Sequence, residues 1–437
     1  MGGLLLGSFG AGVLSRIPIG FALAAASMLT LALITDNNLS IGAQRVVAGI
    51  TPYPLLAVPL FVLAGGIMNV GGISKRLLGL ADAIVGRLTG GLAQTNILAS
   101  VFFGGLSGSS VADVSSLGRI LIPAMKERNY TAAYAAGVTA ASAIIAPILP
   151  PSITLILYGV VTGTSIGQLF FAGIIPAAIY MAALMITVYV TVRRSGFDAE
   201  AAAVTDPKEI GRTPRDQIPA FWPAVVSAVP ALMLPVLILV GIRGGIFTPT
   251  EAAAMAVAYS VLVGAFVYRE LTPKKVLEAM KDSVGLIGLI LLVMSAAQLY
   301  SWALTSGRVP QAIADGLLGL SENPVVILLL INVLLLVVGM FIEANAAIII
   351  LVPILYPVAT ALGIDPLHLG VVIVVNMGLG LVTPPVGLNL MLAAEIAKVD
   401  IFKAVRGIAP FLLAGVLVLL LLTFVPALST WLPSVAF

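Results

Sequence analysis

The sequence predicts an all-α polytopic membrane protein built from inverted repeats, each with a re-entrant hairpin and a proline-broken helix. Three observations predict it. Hydrophobic residues make up 60% of the 437 positions and charged residues 9%, against roughly 25% charged in soluble domains. Apolar runs of about 20 residues, enough for one helical crossing, recur along the chain. Two blocks echo each other: Ile120-Leu-Ile-Pro123 is followed by Ala146-Pro-Ile-Leu-Pro-Pro-Ser152, and Ile350-Leu-Val-Pro353 by Leu381-Val-Thr-Pro-Pro-Val386. The short alternating segments of a transmembrane barrel are absent.

The basic residues orient the elements. Lys and Arg cluster at 75–87, 119–128, 193–215, 269–281 and 398–406, and short basic loops lie in the cytoplasm. Residues 1–72 hold N-terminal scaffold spans. Arg16-Ile-Pro18 interrupts the first 34 residues, which form one long tilted helix or a short helix plus a span, and 53–72 enters the cytoplasm. Residues 73–192 form the first repeat. Its hairpin, 88–126, begins and ends beside basic loops, with the sequence GGLSGSSVAD (104–113) at its midpoint. Residues 131–160 cross outward through a double proline and 167–192 return. Residues 193–283 comprise a polar cytoplasmic linker, 193–217, and spans 219–242 and 250–268.

Residues 284–437 form the second repeat in the opposite orientation. It comprises a span at 284–305, a hairpin at 324–361 entered from outside, a broken helix at 366–396 and a final span at 407–430. Opposed repeats of this kind mark secondary transporters. Segments 73–88, 274–284, 308–320 and 398–406 are amphipathic and suit the interface. In the first, Leu77, Leu80, Ala81, Ile84 and Leu88 share one face. The apolar N-terminus has no basic start or cleavage site, so no removed signal peptide is expected.

Four backbone breaks fall near mid-membrane: tips 104–110 and 339–345, and double-proline breaks 146–152 and 380–386. Unpaired backbone in hydrocarbon costs several kcal/mol per group, so it persists only inside protein or beside water. Exposed carbonyls coordinate a hard cation such as sodium, and exposed amides attract an anion. The candidate first cation site is Ser107, Ser109, Ala146, Leu149 and Pro151, the last three through carbonyls. The second is Gly339, Gly380, Thr383 and Val386, with only Thr383 offering a side chain. Ser110, Ser152, Asn345 and Asn389 are substrate-binding candidates, and Asn376 is a further buried polar residue. Asp113 and Glu343 place one carboxylate in each hairpin, to tune a cation site, hold a tip or bind a proton.

These residues carry a resemblance. The segments GGISKRLLGLADAIVGRLTGGLA (71–93), GLSGSSVAD (105–113), ILIPAM (120–125), IIAPILPPSI (144–153), GGIFTPTEAAA (244–254) and LGLVTPPVGLNL (379–390) resemble the large membrane (M) subunit of tripartite ATP-independent periplasmic (TRAP) transporters. The resemblance implies an elevator-type transport domain on a scaffold, sodium as coupling ion and import of an organic acid. It also implies a small membrane (Q) subunit, a periplasmic substrate-binding (P) protein, and residence in a bacterial or archaeal cytoplasmic (inner) membrane. It assigns the sodium role to Ser107, Ser109, Pro151, Gly339, Gly380 and Thr383. The alternative is a stand-alone ion-coupled dicarboxylate carrier or antiporter of a related inverted-repeat class.

Other classes are disfavoured. There is no cysteine, hence no disulfide, thiolate metal site or thiol nucleophile. The single His368 cannot build a histidine metal cluster and is expected to cap or pack. No GxxxxGK[ST] motif signals ATP. Asp113 and Glu343 lie in different hairpins without a nucleophile–base motif, so no enzyme and no cofactor are expected. Nothing supports nucleic-acid binding.

Overall fold

Proline and glycine punctuate an otherwise helix-forming chain, and the breaks they make organise the molecule. A computed structural model describes residues 2–15, 17–34, 39–195, 219–309, 311–312, 316, 319 and 323–437. All regular structure among them is helical, and seven of these helices are long and apolar enough to cross a membrane.

The N-terminal region resolves into two helices, α1 (Gly2–Leu14) and α2 (Ile19–Ile34), packed on each other across the Ile17-Pro18 junction. Arg16 lies outside the described residues. A short helix that the sequence reading did not anticipate, α3 (Leu39–Ala48), follows. Next come α4 (Ala57–Val70) and the amphipathic α5 (Ile73–Val85), separated by a turn in which Gly72 takes φ 80°. Leu77, Leu80 and Ala81 are buried as their shared face requires, but Ile84 and Leu88 are 44% and 51% exposed. The apolar stripe is therefore narrower than its periodicity suggested. Arg76 fixes the start of α5. It pairs with Glu270 at 2.8 Å, lies 3.8 Å above the Tyr268 ring and donates to the Gly72 carbonyl.

The first repeat continues with α6 (Gly91–Ser107), α7 (Ser110–Glu127), α8 (Ala132–Ser142), α9 (Ile153–Thr162) and α10 (Ile166–Ser195). Helices α6 and α7 form the first hairpin, and α8 and α9 are the halves of the first broken helix. The polar linker expected at 193–217 lies outside the described residues from 196 onward.

After it come α11 (Phe221–Arg243), α12 (Pro249–Leu262) and α13 (Pro273–Ser306). Helix α12 starts in a capping box between Thr248 and Glu251 and runs into a π-turn at Val263–Val267. Helix α13 is one continuous 34-residue helix, which corrects the expected division into an amphipathic piece, 274–284, and a separate span. A polar first stretch does not break a helix that contains no proline after its first turn and whose glycines, Gly285 and Gly288, have open space around them. The amphipathic segment expected at 308–320 lies largely outside the described residues.

The second repeat holds α14 (Pro324–Gly339), α15 (Ala344–Ala361), α16 (Pro366–Gly380), α17 (Leu388–Ala397) and α18 (Ile401–Phe424). Helix α19 (Ala427–Ala436) follows. Asp400 caps α18 by accepting from Phe402 N at 2.9 Å. The last span therefore starts at 401 rather than 407 and absorbs the segment read as a separate amphipathic helix.

Packing sorts the helices into two groups. Helices α2, α4, α12 and α13 pack together, and α11 joins them through α12 and α5. The other group interlocks the repeats. Helix α7 of hairpin one packs on α17, the second half of broken helix two, and α15 of hairpin two packs on α9, the second half of broken helix one. The Lys126 ammonium reinforces the first pairing by donating to the Ala397 carbonyl at 3.0 Å, where α17 ends.

Candidate transport site

Each hairpin tip is seated on the double-proline break of its own repeat. At tip one, Gly108 takes φ 60°, a left-handed conformation natural to glycine, and joins Ser107, the last residue of α6, to Ser109, the N-cap of α7. A Cβ on Gly104 would stand 2.7 Å from Ala146 Cα, and one on Gly108 would stand 2.6 Å from the Pro151 carbonyl oxygen. At tip two, a Cβ on Gly339 would stand 3.0 Å from Gly380 Cα, and Gly387 N donates to Met340 O at 3.3 Å. Both double prolines carry a cis bond, at Pro150-Pro151 and Pro384-Pro385.

The breaks leave acceptors open. Among the described residues, the carbonyls of Ala146, Leu149 and Pro151 receive no hydrogen bond, nor do those of Gly339 and Val386. The Gly380 carbonyl accepts from Thr383 N at 3.1 Å. Thr383 Oγ1 donates to Leu379 O at 2.7 Å and keeps its lone pairs. Ser107 Oγ accepts from Ser109 N and Ser109 Oγ from Ala112 N, both at 3.4 Å. Two clusters of neutral oxygens result, the donor set that suits a small hard cation.

A cavity of about 840 Å³ lies between the tips and the scaffold, within the size range of small-molecule sites. Ser107, Ser109, Glu343 and Asn345 line it from the hairpins; Asn69, Asp282 and Ser283 line it from α4 and α13. Three of the four substrate-binding candidates do not divide as the sequence reading grouped them. Asn345 reaches the cavity, but Ser110, Ser152 and Asn389 are buried outside its wall. Ser152 caps α9 instead: it donates to the Pro147 carbonyl at 2.5 Å and accepts from Leu155 N at 3.1 Å. Asn389 is fully buried, and neither side-chain atom has a partner among the described residues.

The two hairpin carboxylates have different surroundings. Glu343 is the N-cap of α15 and accepts from Asn345 N (3.0 Å), Ala346 N (3.2 Å) and Asn345 Nδ2 (2.9 Å). The offset that superposes the double prolines also superposes Glu343 on Ser109, the cap of α7, so the repeats cap the same helix start with different chemistry. Asp113 is 1% exposed beside Ser100, and neither of its oxygens receives a hydrogen bond of ordinary length. It does not line the cavity.

Sequence reasoning missed Thr154, Asn332, Asn96, Ser142 and Asp282. Thr154, near the start of α9, donates to Asn345 Oδ1 at 3.1 Å and so ties break one to tip two. Asn332 receives both a backbone- and a side-chain-directed bond from Asn376 Nδ2, each 2.9 Å. Asn96 and Ser142 make the matching pair in repeat one at 3.3 Å. An asparagine on the entering limb of each hairpin was a readable signal for these pairs. Asp282 gave none, because it sits beside Lys281 in a stretch that reads as solvated helix. His368 is buried and bonds Ser429 Oγ at 2.9 Å through Nδ1, a packing role.

Comparison with known proteins agrees with this architecture. A solved structure, that of the YdaH transporter of Alcanivorax borkumensis, superposes with a TM-score of 0.62 at 18% identity, covering 93% of this chain and 96% of that one; it bears on fold alone. The sialic acid TRAP transporter large permease protein SiaM of Vibrio cholerae is 40% identical over 96% of this chain and 95% of its own length. The C4-dicarboxylate TRAP transporter large permease protein DctM of Pseudomonas aeruginosa is 37% identical over 93% and 92%. The 2,3-diketo-L-gulonate TRAP transporter large permease protein YiaN of Escherichia coli is 36% identical over 97% of both. Residues 6–428 match the family described as tripartite ATP-independent periplasmic transporter, DctM component. This chain, a multi-pass membrane protein and not an enzyme, belongs to that family of TRAP transporter large permeases.

Proposed function

We propose that the chain imports an organic acid into the cell across the cytoplasmic membrane, coupled to sodium. In this reading a periplasmic binding protein delivers the acid and a small membrane subunit stands beside the chain. The observation that carries it is the placement of one cavity against both hairpin tips, each tip seated on a break with open carbonyls. The relatives' names, sialic acid, C4-dicarboxylate and 2,3-diketo-L-gulonate permeases, support an organic acid as cargo.

The proposed mechanism uses this geometry. Sodium binds to the oxygens of Ser107, Ser109, Ala146, Leu149 and Pro151 at one tip, and of Gly339, Gly380, Thr383 and Val386 at the other. Each ion moving inward gains about 2.3 kcal/mol per 100 mV. Two ions with one carboxylate carry net positive charge, so the membrane potential drives the step. The acid's carboxylate meets the hydroxyls of Ser107 and Ser109 and the amide end of α7, where a helix start favours negative charge. Among the described residues no basic side chain lines the cavity, so in this reading the cations themselves supply the attraction. The interlocked helices α6–α10 and α14–α18 move as a body past α2, α4, α12 and α13, carrying cavity contents from one face to the other.

Proteoliposome uptake tests this reading. With the binding protein and small subunit present, an inward sodium gradient should drive accumulation, and its removal should abolish it. Equal uptake without sodium contradicts the coupling. Full activity of this chain alone favours the stand-alone carrier.

A further inference from the structure

The Ser107–Ser109 tip and the scaffold face around Asp282 differ in hydrogen-bonding chemistry. On the hairpin side, Ser107 Oγ and Ser109 Oγ each accept a backbone N–H, and their hydroxyl hydrogens have no acceptor among the described residues. They point to a ligand that accepts. On the scaffold side stands Asp282, exposed, with no hydrogen bond or ion pair among the described residues. An ionised carboxylate only accepts. Its neighbour Ser283 gives its hydroxyl hydrogen to the Ala279 carbonyl at 2.7 Å and so presents lone pairs. Asn69 contributes one donor to this wall, its Nδ2, since its Oδ1 already accepts from Ser74.

Among the described residues no cation offsets Asp282 within the cavity, and its walls carry no Lys, Arg or His. Lys275, two turns earlier on α13, is engaged by the Glu270 and Val70 carbonyls at 2.9 and 3.5 Å. The second cavity carboxylate, Glu343, is matched by three donors and the start of α15. Among the described residues Asp282 is therefore the open anion of the site.

From this arrangement we infer the class of acid the cavity selects: a hydroxylated monocarboxylate, with its carboxylate at the Ser107–Ser109 tip and its hydroxyl-bearing end at Asp282 and Ser283. A plain dicarboxylate of the same length places its second carboxylate against Asp282 and is repelled. The inference rests on the reading that an organic acid binds in this cavity.

Gluconate and adipate, six-carbon acids that differ in this respect, form the test. Thermal unfolding of the purified full-length chain in sodium-containing detergent buffer is followed as each acid is titrated. Like-charge opposition should leave gluconate binding about tenfold tighter than adipate or better. Asp282→Asn, which removes no folded-state bond, should bring the two within about threefold, and Asp282→Arg should reverse the order, since a cation then faces the second carboxylate. Adipate binding as tightly as gluconate in the unsubstituted chain overturns the inference, as does an unchanged ratio in Asp282→Asn. If both acids shift the transition equally in sodium, only the selection by Asp282 falls. If neither does, the organic-acid reading falls and the inference with it.

Discussion

Thr154 Oγ1 and Asn345 Oδ1 are joined by a 3.1 Å hydrogen bond that crosses from one repeat to the other. Thr154 lies just after the first double-proline break, and Asn345 lies just after the second tip and holds Glu343 through its Nδ2. The bond thus runs from one candidate cation site to the hairpin of the other. Side-chain bonds between membrane helices average about 0.6 kcal/mol, a factor of about three in an equilibrium. Thr154→Val should lower apparent sodium affinity in uptake assays by about that factor and leave membrane insertion intact. An unchanged sodium curve would show that the bond is only local packing.

Gly339 and Gly380 meet backbone to backbone. Alanine at Gly339 puts a methyl group 3.0 Å from Gly380 Cα and 3.2 Å from the end of the Met377 side chain. Overpacking of this kind costs about 1–3 kcal/mol. Gly339→Ala should reduce uptake more than tenfold, in line with that cost, while size-exclusion chromatography still shows a monodisperse protein. Gly285→Ala, at a glycine with nothing within 4 Å, is the control and should be silent.

Glu343 acts in the fold as a helix cap. Losing an N-cap costs about 0.5–2 kcal/mol. Glu343→Ala should lower the unfolding midpoint accordingly. Glu343→Ser, which copies Ser109 at the equivalent place, should recover most of the loss. If serine is as damaging as alanine, the charge rather than the cap is what the site needs.

Asp113 presents the reverse case. Its oxygens receive no hydrogen bond of ordinary length, and burying a lone ionised carboxylate is costly. Asp113→Asn keeps the shape and removes the charge, so the unfolding midpoint should stay level or rise. A large fall would reveal a cation or donor held there.

Much of this was legible in the sequence. Both breaks follow from Pro150-Pro151 and Pro384-Pro385, because two adjacent prolines remove successive helix hydrogen bonds, whereas the single prolines Pro123 and Pro353 that helped to reveal the repeat lie inside continuous helices. The pairing of tip with break in each repeat was legible too, from the glycines and the opposed charge map. Helix limits were not. The start of α13 and that of α18 carry polar residues but continue as helix, since amphipathicity reports a solvated face and not an end. Cross-repeat partners such as Thr154 and Asn345 were out of reach, because nothing local in either stretch encodes the other. Ser152 looked like a ligand hydroxyl, yet the break uses it to satisfy its own backbone at Pro147 and Leu155.

Equilibrium binding of radioactive sodium to the purified chain tests the central claim most directly. With one cation site at each tip–break pair, saturation should approach about two ions per chain. Thr383→Ala should remove about one of them, because it strips the only side-chain oxygen from the second pair. Absence of saturable sodium binding, or full binding in Thr383→Ala together with Ser109→Ala, would contradict the account.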